Sequence, residues 1–137
     1  MIARRGAVAV RTDAIRQLKA LTIGLPDPLR DRLRHLNADQ LTITCQKLRP
    51  PRNDPHTASL ITSLRAIAKR CRNATDEANQ HKRDIERWVR TICPQLLDET
   101  GVGPITAAQL LISWSHPGRL RTEACFARLA GTAPIPA

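Results

Sequence analysis

From Leu60 onward the side chains Leu60, Leu64, Ile67, Cys71, Ala74, Ala78, His81, Ile85, Trp88 and Ile92 recur at alternating steps of four and three. A period of 3.5 residues is a helical signature, because only a helix brings such positions into one line. The spacing predicts one long helix over 57–92, ended by Pro94. The ends of this seam are strongly apolar, while its middle is small or polar. Such a seam is weak as a free two-stranded coil and suits pairing with another helix of the same chain or with an identical subunit. His81 is expected to be half-exposed or hydrogen-bonded on this seam rather than to act as a pH sensor.

The flanking segments read as helices too. Ala7, Val10, Ala14, Leu18, Leu21 and Leu25 form an apolar stripe over residues 4–25, broken at Pro26 and Pro28. A short helix over 28–35 follows, then another capped by Asn37 or Asp39 and running to about Leu48. Pro50-Pro51-Arg52-Asn53-Asp54-Pro55 is a stiff linker, so the chain is read as a basic N-terminal segment 1–52, a long coiled-coil-like helix 53–92 and a C-terminal part 93–137. With one Phe, two Trp and no Tyr, packing must rest on small aliphatic residues. That composition favours helix against helix, and no strand pattern competes with it. The expected fold class is all-α. The same scarcity argues against the aromatic platforms on which single strands stack.

The formal net charge is +10, which in a soluble chain points to a polyanionic partner. Residues 1–52 hold 11 Lys/Arg against 4 Asp/Glu, residues 53–92 hold 8 against 5, and residues 93–137 hold 3 against 3. The basic surface is therefore expected from Arg4, Arg5, Arg11, Arg16, Lys19, Arg30, Arg32 and Arg34. Cys45, Cys71, Cys93 and Cys125 and the four histidines are too scattered for metal-ligand spacing, so the cysteines are read as free, mostly buried thiols. Asp98-Glu99, Asp76-Glu77 and Asp84/Glu86 read as capping or solvated faces. Ser113, Ser115 and His116 form no nucleophile–base arrangement. These residues bind and assemble; no catalytic residue, metal site or cofactor is assigned. No membrane span or signal peptide is legible, and the expected location is cytoplasmic, associated with the nucleoid.

Leu96-Leu97-Asp98-Glu99-Thr100-Gly101-Val102-Gly103-Pro104-Ile105-Thr106 has the shape of a helix-hairpin-helix. Gly101 and Gly103 permit a tight turn with positive φ, and Pro104 suits the first position of the second helix. The free N–H groups of Ile105 and Thr106 then form a phosphate site, with Gly101, Val102 and Gly103 allowing a backbone to approach. The alternative is an αα-hairpin whose glycines serve close packing alone. Thr122 is a candidate N-cap for a last helix from Arg121 to Leu129, after which Ala130 to Ala137 is expected to run out as an extended tail.

Three blocks carry a family resemblance: Gly101 to Leu111, His116-Pro117-Gly118-Arg119-Leu120-Arg121, and Phe126-Ala127-Arg128-Leu129-Ala130-Gly131-Thr132-Ala133-Pro134. Together they resemble the C-terminal domain of transposases of the insertion-sequence family IS-one-ten and its relative IS-eleven-eleven. Ala3-Arg4-Arg5-Gly6-Ala7-Val8 through Ile15-Arg16-Gln17-Leu18-Lys19-Ala20-Leu21 is similar to the stretch that follows the catalytic domain in these proteins. Ser115-His116 stands where the family more often has Gly followed by an acidic or amide residue. The resemblance implies DNA cutting and rejoining by a RuvC-like domain with four acidic ligands for a divalent metal such as Mg, a C-terminal serine, and a structured guide RNA as partner. It also implies a helical coiled-coil region that assembles subunits, which the seam at 57–92 fits. With neither the acidic domain nor the serine segment in the sequence, the expectation is a truncated transposase. It would bind DNA or RNA, form homo-oligomers or mixed oligomers with intact transposase, and be inactive alone. The alternatives are a stand-alone basic helical nucleic-acid-binding protein and a coiled-coil interaction module.

Overall fold

The computed structural model describes residues 1–115, 118 and 122–130. Its described residues are all-α: α1 (Ile2–Thr22), α2 (Asp27–Arg34), α3 (Ala38–Lys47), α4 (Pro55–Ile92), a 3-10 turn (Pro94–Leu97), α5 (Pro104–Trp114) and α6 (Glu123–Ala130). The chain divides into two compact units, Met1–His81 and Lys82–Ala137, and α4 runs through both.

Local chemistry sets the helix starts. Asn37 caps α3 with a reciprocal pair: its Oδ1 accepts from the Gln40 N–H at 2.9 Å, and Gln40 Oε1 accepts from the Asn37 N–H at 3.2 Å. Of the two candidate caps, Asn37 is the one used. α4 begins inside the proline linker, where Pro55 takes the first helical position and Asp54 accepts from the Thr57 N–H at 3.1 Å. The hydrogen bonds from Thr57 hold the Asp54 carboxyl below its ordinary pKa. α6 begins as expected at Thr122, whose Oγ1 accepts from the Cys125 N–H at 3.2 Å.

The first unit is built on Leu18, Leu25, Leu33, Leu41, Cys45, Ile61, Leu64 and Ala68, with Leu21, Leu29, Leu36, Leu48, Leu60 and Ile67 packed around them. In α1 the buried line is Ala7, Ala14, Leu18 and Thr22; Val10, expected on it, is exposed. Its place is taken by Arg11, half-buried between Ala7 and Ala14 in the same helical row and paired with Asp39. A long basic side chain covers apolar surface with its stem while its head stays wet.

The seam of α4 is used unevenly. Thr57, Ile61, Leu64, Ala68, Cys71, Ala74 and Ala78 are buried, and small residues in the middle let neighbouring helices approach closely. Gln46 of α3 donates its amide to the Ala68 carbonyl at 3.1 Å, and the Thr42 hydroxyl reaches Cys71 Sγ at 3.5 Å. Beyond Ala78 the expected line fails. Trp88 and Ile92 are 68% and 64% exposed, and Val89 is the buried residue of that turn. The period was read correctly; its phase drifts, because a straight helix of 3.6 residues per turn does not hold a 3.5-residue line. His81 is half-exposed and lies 3.7 Å from Glu77.

All four cysteines are free: Cys45 and Cys71 are buried, Cys93 is half-buried and Cys125 is exposed. Burial pushes the Cys45 thiol up to about 11. The raised value keeps the folded thiol protonated where the unfolded one ionises, so its contribution to stability is complete below about pH 9 and declines as pH rises toward about 11. A thiol reagent near pH 8 is expected to modify Cys125 at once and Cys45 only on unfolding. Mass spectrometry of the labelled peptides reads the difference; equal labelling rates would contradict the burial of Cys45.

The second unit includes the 3-10 turn, α5 and α6, and α5 packs on the 3-10 turn. Ala107 and Ser113 are the buried residues of α5, and the rings of Trp114 and Phe126 meet edge to face with centroids 6.3 Å apart. Of the expected tail, Ala130 closes α6, and residues 131–137 lie outside the described residues.

Candidate nucleic-acid interface

The eight basic residues expected to form the surface fall on α1 and α2, and the two helices treat them differently. On α1, Arg5, Arg16 and Lys19 are exposed, and among the described residues no carboxylate pairs with them. Arg4 is half-buried, and its Nε is enclosed with no hydrogen-bond partner. Arg11 pairs with Asp39 of α3 at 3.0 Å. On α2 the charge is largely answered: Arg30 pairs with Asp27, Arg34 lies 3.5 Å from Asp31, and Arg32 alone is unpaired among the described residues. Exposed pairs of this kind contribute only about 0–1 kcal/mol, so a phosphate could displace a carboxylate from them. The free positive charge nevertheless sits mainly on α1.

Grouping residues 53–92 as one block concealed a second basic feature. Between Asp54 and Asp76 there is no acidic residue, and this stretch of α4 carries Arg65, Lys69, Arg70 and Arg72. From Asp76 to Arg90 four acidic and four basic residues balance, and the ion pairs Arg87–Asp84 and Arg90–Glu86, both at 2.8 Å, lie there. The signal was available in the sequence as a carboxylate-free run, but a net charge averaged over the whole helix hides it. Arg65, Lys69 and Arg72 line a groove of about 530 Å³ with Gln46, Thr62, Ala66 and Asn73.

In the second unit, the segment before the glycines is a 3-10 turn over Pro94–Leu97 rather than an α-helix. The Val102 N–H bonds the Glu99 carbonyl at 3.0 Å, which closes a four-residue turn with Gly101 at its third position and φ +84°. Positive φ at that position alone defines a type II turn. Gly103 differs from the expectation: its φ is −84°, and it serves as the extended N-cap of α5. No side chain caps α5, Pro104 has no N–H to offer, and the first helical bond comes from Ala107 to Gly103 at 2.9 Å. The N–H groups of Ile105 and Thr106 therefore have no partner within the helix.

Among the described residues, no group of three or more His, Cys, Asp or Glu side chains could hold a metal ion. No helix is long and apolar enough to cross a membrane.

Residues 93–137 match the family described as Transposase IS116/IS110/IS902. The matched stretch begins at the 3-10 turn and takes in the type II turn, α5 and α6. No curated protein and no solved structure matches the chain.

Proposed function

We propose that this chain serves DNA transposition as a nucleic-acid-binding and subunit-assembling element, without bond-cutting chemistry of its own. The observation that carries this reading is the coincidence of a transposase-family segment at 93–137 with a net charge of +10 placed mainly ahead of it. The charged helices α1 and α4 supply attraction that is indifferent to base sequence. The α5 N-terminus, with Gly101, Val102 and Gly103 leading to the Ile105 and Thr106 N–H groups, takes a single backbone phosphate. Trp88 and Ile92 share one exposed face of α4 and serve assembly, with a second copy or an intact transposase as the partner. A structured guide RNA enters through the same backbone chemistry as DNA. Nucleoid association follows from such binding.

Gel-shift titration of duplex DNA across salt concentrations tests the reading. The logarithm of the binding constant is expected to fall linearly with the logarithm of salt, with a slope of about −3 or steeper and little dependence on sequence. Absence of binding to duplex DNA, duplex RNA and single strands at low salt would remove nucleic-acid binding from the function.

A further inference from the structure

We infer that the groove between α3 and α4 is a second backbone-binding site, in which Arg65, Lys69 and Arg72 contact successive phosphates of a nucleic-acid duplex. The inference rests on the binding function proposed above and names a surface for it distinct from α1 and α2. Arg65, Lys69 and Arg72 stand at i, i+4 and i+7 on one face of α4, spanning about 10 Å of helix axis. Arg65 and Lys69 have no ion-pair partner among the described residues, and Arg72 reaches only Asp76, at 3.4 Å. Like charges stacked at these spacings weaken a helix. Here they are stacked along a stretch without one carboxylate, although the next stretch of the same helix carries as many acidic as basic residues.

The walls of the groove fit a polyanion's backbone. No acidic residue lines it; Gln46, Thr62 and Asn73 supply neutral polar groups, and Ala66 keeps one side low. Gln46 is held in place by its bond to the Ala68 carbonyl, so that wall is fixed before any ligand arrives. Arg72 also borders an adjoining groove of about 600 Å³ that reaches Arg4 and Arg11 of α1, where Asp39 and Asp76 mark the end of the purely basic path. The scarcity of aromatic residues favours a duplex, held by its phosphates, over a single strand held by stacked bases.

The test compares two triple variants of the full chain with equal loss of charge. One is Arg65→Gln, Lys69→Gln, Arg72→Gln; the other is Lys82→Gln, Arg87→Gln, Arg90→Gln. Each is titrated with duplex DNA, duplex RNA and single-stranded DNA, and thermal unfolding by circular dichroism checks the fold. The groove variant is expected to bind at least one duplex about tenfold or more weakly near 0.1 M salt, with the salt slope shallower by about 2 or 3. The duplex that loses more identifies the source of the phosphates. The charge-preserving variant Arg65→Lys, Lys69→Arg, Arg72→Lys is expected to retain most binding. If the two neutralised variants weaken binding equally, or if the groove variant binds every ligand as the unaltered chain does, the groove assignment is overturned while the binding function stands. If the unaltered chain binds nothing, both fall.

Discussion

Leu64→Ala is expected to destabilise the first unit by about 2–5 kcal/mol, the range for removing a fully buried leucine from a core that relaxes only in part. Leu64 is fully buried and lies in the cluster formed by Leu18, Leu33, Leu41, Cys45 and Ile61. Residues from α1, α2 and α3 meet α4 there, so the cavity would be lined by several helices at once and could not close by the movement of one. Ile92→Ala, at the far end of the same sequence seam, is expected to change stability by no more than about 0.5 kcal/mol, because Ile92 is exposed. Urea unfolding of both variants separates the two halves of the helix. A comparable loss for each would mean that the seam is buried along its whole length, contrary to the structure.

That contrast explains how far the sequence could be read. The existence of α4 was legible because apolar residues recurred at helical steps over ten positions, and no competing pattern explains such a run. Its burial was legible at Leu64, Cys71, Ala74 and Ala78, whereas Leu60 and Ile67 are half-buried beside the buried Ile61 and Ala68. Past Ala78 the choice between Trp88 and Val89 depends on which neighbour packs there, and periodicity contains no information about neighbours. Val10 and Arg11 repeat the lesson on α1: the apolar residue is exposed, and the charged one is half-buried beside Asp39. An ion pair 28 residues apart in the chain is a tertiary fact. Caps are different, being local. The Asn37–Gln40 box and the Thr122 cap are visible as residue pairs at fixed spacing, whereas Asp54 was concealed within a proline-rich stretch that reads as linker.

The candidate interface was legible in sign and incomplete in place. Formal charge by segment drew attention to α1 and also credited Arg30 and Arg34, which their own helix largely neutralises through Asp27 and Asp31. It also missed Arg65, Lys69 and Arg72, whose charge was averaged against the balanced half of α4. Ion pairing at i, i+3 and i, i+4 could have been read directly from the spacing. What spacing cannot supply is the wall contributed by Gln46, which comes from another helix.

Gly101 and Gly103, equivalent in the motif, are expected to respond in opposite directions. Gly101→Val is expected to cost about 1–3 kcal/mol, since φ +84° at the third position of the turn is a region that a β-branched residue scarcely enters. Steric crowding is not the cause, because a Cβ at Gly101 would meet nothing within 4 Å. Gly103→Ser has the same open space with φ −84°, so it carries no such strain. It also places a hydroxyl at the N-cap of an otherwise uncapped helix and should stabilise α5 by up to a few tenths of a kcal/mol. The serine oxygen would accept from the N–H of Ile105 or Thr106, the donors proposed to receive a phosphate. Unfolding and duplex binding should therefore separate in Gly103→Ser: slightly higher stability, weaker binding. If stability rises and binding is unaltered, the α5 N-terminus is not a phosphate site, and Gly103 is there only to let the chain turn into the helix.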